Sequence, residues 1–536
     1  MTTLLVNGQF YLDDGDANWA SAVAVTGTTI SAVGDAAVAG SHTRVVDLDG
    51  ATVLPGFVDA HVHPIMGGAE LLECALADYT ERSEYLAAVA AYGGSGWITG
   101  GGWSMTAFPG GVPDAASLDT VTDGRPAFLY NRDHHSAWVN TAALRAAGID
   151  ESTPDPEGGR IERDASGAPT GALHESAMDL VTRLLPAPGP SHTVDALRAG
   201  LRYLNSLGIT GWQDAKVRVD PDDISAYLAL QSAGELTARV VGAYWLDPQL
   251  DVSQVDTIVA ARAALPPGLF TLGAVKIMLD GVCETHTASM SSPYLDGHGH
   301  STGNTGISFF ERDMLLECAR RLDRAGFQLH FHAVGDAAVT EALDVVEAIG
   351  ARHRPHVAHV QVVHPRDVHR FRALGVSVNA QPLWARLEPQ MTELTLPFLG
   401  TERGGWQYPF GEFENAGATL AFGSDWPVST PDPIRQLHVA VNRTPVPDKT
   451  RWTPQDGAFL PDQRLSLPVA LRAFTRGSAW INHQEDVAGA IAVGRSADFA
   501  ILDANPFDRP RSEIWRTKVV GTWFRGQSVH STVGVA

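Results

Sequence analysis

From its amino terminus the chain runs through short apolar stretches broken by Gly and Asp turns: Leu4-Leu-Val, Ala22-Val-Ala-Val, Thr29-Ile-Ser-Ala-Val and Arg44-Val-Val-Asp-Leu. Alternation and β-branched residues of this kind predict strands, so residues 1–52 read as a small β unit. Residues 487–536 return to the same texture in Asp498-Phe-Ala-Ile-Leu and Val519-Val-Gly-Thr-Trp-Phe. The two ends are therefore expected to pair into one composite β-sandwich. Between them, fully apolar runs alternate with helical spacing. Val194, Leu197, Leu201 and Leu204 share a face before Gly208, and Met314, Leu315 and Cys318 do so before Gly326. Strand and helix in alternation build a parallel sheet or barrel.

Nine stretches read as buried strands: Leu54–His61, Pro126–Arg132, Ile209–Asp214, Arg239–Trp245, Ala274–Asp280, Gln328–Ala333, His356–Val362, Val376–Gln381 and Thr419–Ser424. An eight-stranded barrel has one too many. The outlier is Pro126–Arg132, because the gap between His63 and Ser191 is far too long for a βα loop and is rich in Gly and Pro. The expected fold is thus α/β. It combines a (β/α)8 barrel over 53–486, a sandwich from 1–52 and 487–536, and a subdomain of 66–190 inserted after the first barrel strand. Residues 383–415, with Trp384 and Trp406, and 443–465 read as irregular loops.

Composition narrows the partners. With 39 Lys and Arg against 61 Asp and Glu, the net charge of −22 repels nucleic-acid phosphates and acidic lipid surfaces. Neither is expected to bind. Three cysteines, Cys74, Cys283 and Cys318, make no disulfide framework, and the start lacks a secretory signal, so a cytoplasmic protein is expected. The 20 histidines change the picture most, because seven fall between His330 and His369.

Candidate chemistry gathers at strand ends. His61 and His63 are two apart on a strand, so both imidazoles face one side and can reach one ion. His330 and His332 repeat the spacing, His359 ends the next strand, and Asp425 follows the last apolar one. Barrel enzymes collect their catalytic groups at such ends. Lys276 interrupts an otherwise apolar strand, where a buried ammonium is costly unless paired or modified. It reads either as one half of a salt bridge or as a carbamylated lysine. His353, His364 and His369 read as surface residues, as do His42, His192, His483 and His530.

Taken in order, Leu54-Pro-Gly-Phe-Val-Asp-Ala-His-Val-His-Pro, Lys276-Ile-Met-Leu-Asp-Gly, His332-Ala-Val-Gly-Asp, His359-Val-Gln and Gly423-Ser-Asp-Trp-Pro resemble the metal-dependent amidohydrolase superfamily. The likeness is to its YtcJ-like branch, which includes N-substituted formamide deformylases, and it covers nearly the whole chain. It implies that His61, His63 and Asp425 hold one divalent ion and that His332 and His359 hold another, with carbamylated Lys276 between them. Zinc is the expected metal, as one or two ions, though iron, manganese or nickel would accept these ligands. A metal-bound hydroxide would attack a small-molecule amide, with Asp425 moving the proton to the leaving nitrogen. Asp280, Asp336 and Gln361 would orient ligands.

Substrate contacts are expected from Trp103, Trp384, Trp426 and His286. The segment Asn131-Arg-Asp-His-His-Ser adds His135, although His134 stands where the branch more usually has Gly. Cys283 has no task beside a metal hydroxide. The same hydroxide could open an ester, lactone or cyclic amide. Heterocycle deamination fits less well, because Val334-Gly335-Asp336 stands where such enzymes usually carry a glutamate. The alternative of another class is a non-catalytic barrel scaffold, against which all six ligand candidates are present. The family likeness also allows a homodimer.

Overall fold

The computed structural model describes residues 2–12, 18–77, 79–186, 190–218, 221–447 and 457–532. Its centre is a parallel barrel of eight strands in sequence order: β1 (Phe57–Val62), β2 (Ile209–Val217), β3 (Arg239–Trp245), β4 (Phe270–Met278), β5 (Gln328–Ala333), β6 (His356–His359), β7 (Ser377–Ala380) and β8 (Leu420–Phe422). Helices such as Arg312–Arg324 and Asp336–Ile349 cover the outside. Period-two alternation sorts the side chains. In β5, Leu329 and Phe331 enter the apolar cluster that the strands share with the helices, while Gln328, His330 and His332 turn inward.

The ladder runs from β1 round to β8, and the last seam closes through loops and side chains. Asp425 N–H donates to His61 O at 2.7 Å and Ser424 N–H to Asp59 Oδ1 at 2.9 Å. The approach is close enough that a Cβ on Gly423 would lie 2.6 Å from the His61 backbone nitrogen, so only glycine fits there.

Ala127–Asn131 lies outside the barrel, in a six-stranded sheet with Ile98–Trp103, Ser136–Val139, Pro169–Glu175, Gly159–Arg163 and Cys74–Ala75. The expected strand Leu54–His61 is in fact two. Thr52–Pro55 pairs antiparallel with Phe499–Leu502, joining the two chain ends in one sheet, and Phe57–Val62 pairs with β2. The hand-over is at Gly56, where a Cβ would meet Thr210 Oγ1 at 2.3 Å. Leu5, Val25, Phe499 and Trp523 pack between this sheet and a four-stranded one built from residues 2–47, forming the sandwich.

Residues 383–415 are largely helical rather than irregular, with helices Leu396–Gly404 and Phe410–Asn415. Within the other expected loop, 448–456 lie outside the described residues. All three cysteines are buried and free. Among the described residues no helix is long and apolar enough to cross a membrane.

Candidate active site

Six predicted side chains meet at the C-terminal mouth of the barrel, with Asp425 at their centre. Its Oδ1 lies 3.0 Å from His63 Nε2 and 3.2 Å from His61 Nε2, and its Oδ2 lies 4.0 Å from His359 Nδ1. Lys276 Nζ is 3.2 Å from His61 Nε2, and the His332 and His359 rings are 4.3 Å apart. One ligand atom each from His61, His63 and Asp425 lies within 4.8 Å of the others. An ion making bonds of ~2.0–2.2 Å could draw that set together. Asp425 (φ 55°) and His359 (φ 76°) both sit in the left-handed region, which costs about 1–3 kcal/mol each and re-aims side chains at the ends of their strands.

Burial sets the protonation states. It pushes His61 down to about 3, with the Lys276 charge adding to the effect, and it lowers His63, His332 and His359 as well. Burial alone would raise Asp425. Its contacts with His61 and His63 outweigh it and hold the carboxyl well below its usual range. We place the shared proton off both His61 and Asp425, leaving neutral imidazoles beside a carboxylate, the forms that bind metal. Desolvation brings Lys276 down to about 7 against the pull of Asp425, so much of it is free amine, the form that carbon dioxide can carbamylate. Neither ring nitrogen of buried His359 has a hydrogen-bond partner. Such an orphaned group is costly unless a further ligand satisfies it, and a divalent cation fits this donor set.

Asp280 orients His332. It accepts from the backbone N–H of Ser289 (2.9 Å), Val334 (3.0 Å) and Gly335 (2.8 Å) and lies 3.1 Å from His332 Nδ1, leaving Nε2 for the site. Asp336 and Gln361 do not reach a ligand. Asp336 accepts from Ser291 N–H at 3.0 Å at the start of its helix, and the Gln361 amide donates to Gln407 at 2.9 Å.

Two orienting residues escaped the sequence reading. His330 Nε2 lies 3.0 Å from His61 Nδ1, the place Asp280 takes beside His332. Asp59 Oδ1 accepts from His61 N–H at 3.1 Å, and burial raises this acid to about 7. The available signals were an inward histidine one turn of the pleat below His332, and an acid two positions before a buried histidine.

The substrate contacts divide. His135 faces the site, with its ring 5.9 Å from that of His332 and Nδ1 2.9 Å from Glu175 Oε1. His134 points instead to Glu70, at 2.7 Å, and stacks on Tyr130. Burial lowers His135, but Glu175 overrides it and lifts the ring to about 9. Trp384 stacks on His359 at 5.4 Å.

His286 lines a cavity of about 160 Å3 whose wall includes Thr287 and Glu175, the acid that holds His135, and it packs on Phe398. Two tryptophans are corrections. Trp103 is fully buried in the core of the insertion, donating to Leu129 O at 2.8 Å. Trp426 packs on Tyr203 and against Gly67, filling the gap between helices Pro64–Leu72 and Pro190–Ser206. A larger cleft, about 550 Å3, opens beside Ala418 and Leu420 at the start of β8 and contains none of these groups.

A family model described as amidohydrolase family matches residues 44–530. The chain belongs to the amidohydrolase family. As an amidohydrolase it is a hydrolase of carbon–nitrogen bonds. It is 28% identical to the putative amidohydrolase YtcJ of Bacillus subtilis (strain 168), over 91% of each chain. It is 26% identical to the N-substituted formamide deformylase of Arthrobacter pascens, over 98% of this chain and 97% of that one. An uncharacterized metal-dependent hydrolase from Pyrococcus horikoshii OT3 superposes with a TM-score of 0.75 at 24% identity, covering 95% of this chain and 99% of that one. This last likeness is one of fold.

Proposed function

We propose that this amidohydrolase is metal-dependent and cleaves a non-peptide carbon–nitrogen bond of a small molecule, with N-substituted formamides the first substrates to try. The convergence of His61, His63, Lys276, His332, His359 and the Asp425 carboxylate carries the reading. In it, His61, His63 and Asp425 would hold one ion and His332 and His359 a second, with Lys276, once carbamylated, supplying a further carboxylate ligand. Zinc suits this mix of imidazole and carboxylate ligands. A bound divalent ion supplies Lewis-acid polarisation of a carbonyl and brings the pKa of water from 15.7 to about 7.

The remaining work falls to the chain. Asp425, ionised and within reach of both histidines, takes the proton of the attacking water and delivers it to the departing amine nitrogen. His135, held by Glu175, presents Nε2 beside His332 as a hydrogen-bond donor to the polarised oxygen. Trp384 gives the bound molecule an apolar wall. The test is metal analysis of purified protein, followed by chelation, reconstitution and assay on an amide panel. Activity should fall with chelation and return with zinc. Asp425→Asn should lose about 10²–10⁴-fold in turnover while keeping its fold. Absence of stoichiometric metal, or turnover indifferent to chelation, would overturn the reading.

A further inference from the structure

One cation at the mouth has no part in the machinery above. The β2 strand carries a bulge between Asp214 and Val217, so Ala215 and Lys216 together oppose Ala243 of β3. Asp214 and Val217 pair with Gly242 and Tyr244, on the outward side, and the extra residue swings Lys216 inward. Bulges next to active sites commonly re-aim a side chain in this way. Lys216 Nζ comes to rest 4.6 Å above the Trp245 ring, and Trp245 is the register partner of Lys276, so it shares the inner face. The Lys216 charge acts on both His63 and Lys276.

The side chain is exposed although the surrounding protein depresses its pKa, as expected of a group lining a cavity rather than an outer surface. Asp179 and Asp223 attract it, but Asp223 is committed to Arg218 at 3.0 Å. Among the described residues no carboxylate reaches ion-pair distance of Lys216. An ammonium held over an indole and short of an anion is a binding group without its partner.

We propose that Lys216, braced by Trp245, binds an anionic group of the substrate, so that the amide cleaved carries a carboxylate on the side facing β2 and β3. This specificity rests on the hydrolase reading. The probes are N-benzoylglycine and its uncharged carboxamide, titrated calorimetrically into metal-free and zinc-loaded protein. Wild type should bind the acid about tenfold or more tightly than the carboxamide in both forms. Lys216→Met should erase that preference without changing the thermal midpoint, and Lys216→Arg should retain most of it. Equal binding of the two probes by wild type, or an acid preference that survives in Lys216→Met, overturns the proposal. Failure of the zinc-loaded protein to hydrolyse any amide, with the acid preference intact, would overturn the hydrolase reading alone.

Discussion

Two strands of the barrel each carry a histidine, one residue and a second histidine, and the two copies do different things. On β1, both His61 and His63 reach Asp425 Oδ1, at 3.2 and 3.0 Å. On β5, His332 joins the site beside His359, whereas His330 stays a layer below and meets His61 Nδ1 at 3.0 Å. Both pairs face inward, as alternation requires. Depth makes the difference. His63 lies just beyond the last residue of β1, at the mouth, while His330 is level with Lys276 along the ladder and only His332 is one step higher. Spacing thus reports which face a residue takes, and register decides whether it can touch an ion.

Removing one member of each pair tests that contrast most sharply. His61→Ala should abolish binding of the ion shared with His63 and Asp425, taking turnover below detection. His330→Gln should keep a bound ion but weaken it by about 10–100-fold, the usual cost of losing a group that orients a ligand. Metal affinity measured by competition with a chelator separates the two. Equal losses would mean that His330 is itself a ligand and that the layering has no functional meaning.

Much of this was legible in the residues, for identifiable reasons. The strands could be found because apolar runs flanked by Gly turns must be buried, and Ala127–Asn131 could be set aside because the loop around it was too long. Polar residues inside apolar strands stood out because they demand a partner, but choosing the six ligand candidates among them rested on the family resemblance. What stayed hidden depends on three-dimensional neighbours. Nothing local in Leu54-Pro-Gly-Phe reveals that Pro55 pairs with Phe499 while Phe57 pairs with Ile209. Nor does local sequence distinguish Trp384, stacked on His359, from Trp426, wedged among helices.

Those two tryptophans extend the contrast from the ligands to the wall around them. Trp426→Ala should destabilise the fold by about 3–5 kcal/mol, because it empties a tightly packed gap between helices. Trp384→Ala should leave the unfolding midpoint nearly unchanged and raise KM. Denaturant titration and steady-state kinetics on the same preparations read both. A stability loss shared equally by the two variants would remove Trp384 from the substrate pocket.

The smallest effect concerns a third pair, the adjacent His134 and His135, which point to different acids because neighbours on a turn do not share a face. Glu175 raises the folded pKa of His135 to about 9, against 6.5 for the free side chain. A cationic group stabilised in this way contributes fully below about pH 6.5. Between 6.5 and 9 the folded form binds more protons than the unfolded chain, so stability declines with rising pH at about 1.4 kcal/mol per unit, and the contribution is gone above 9. In metal-free protein Lys276, held at about 7 against 10.5 in the free side chain, adds a slope of opposite sign above pH 7, so denaturant titrations across that window read the His135 contribution as a difference between wild type and variant. Glu175→Gln removes the charge that sustains the cation and leaves only burial, which favours neutral imidazole, so that contribution should disappear. His134→Gln should leave it intact, since His134 faces Glu70. Loss of the contribution in His134→Gln rather than Glu175→Gln would reverse the assignment of which histidine of the pair the site holds charged.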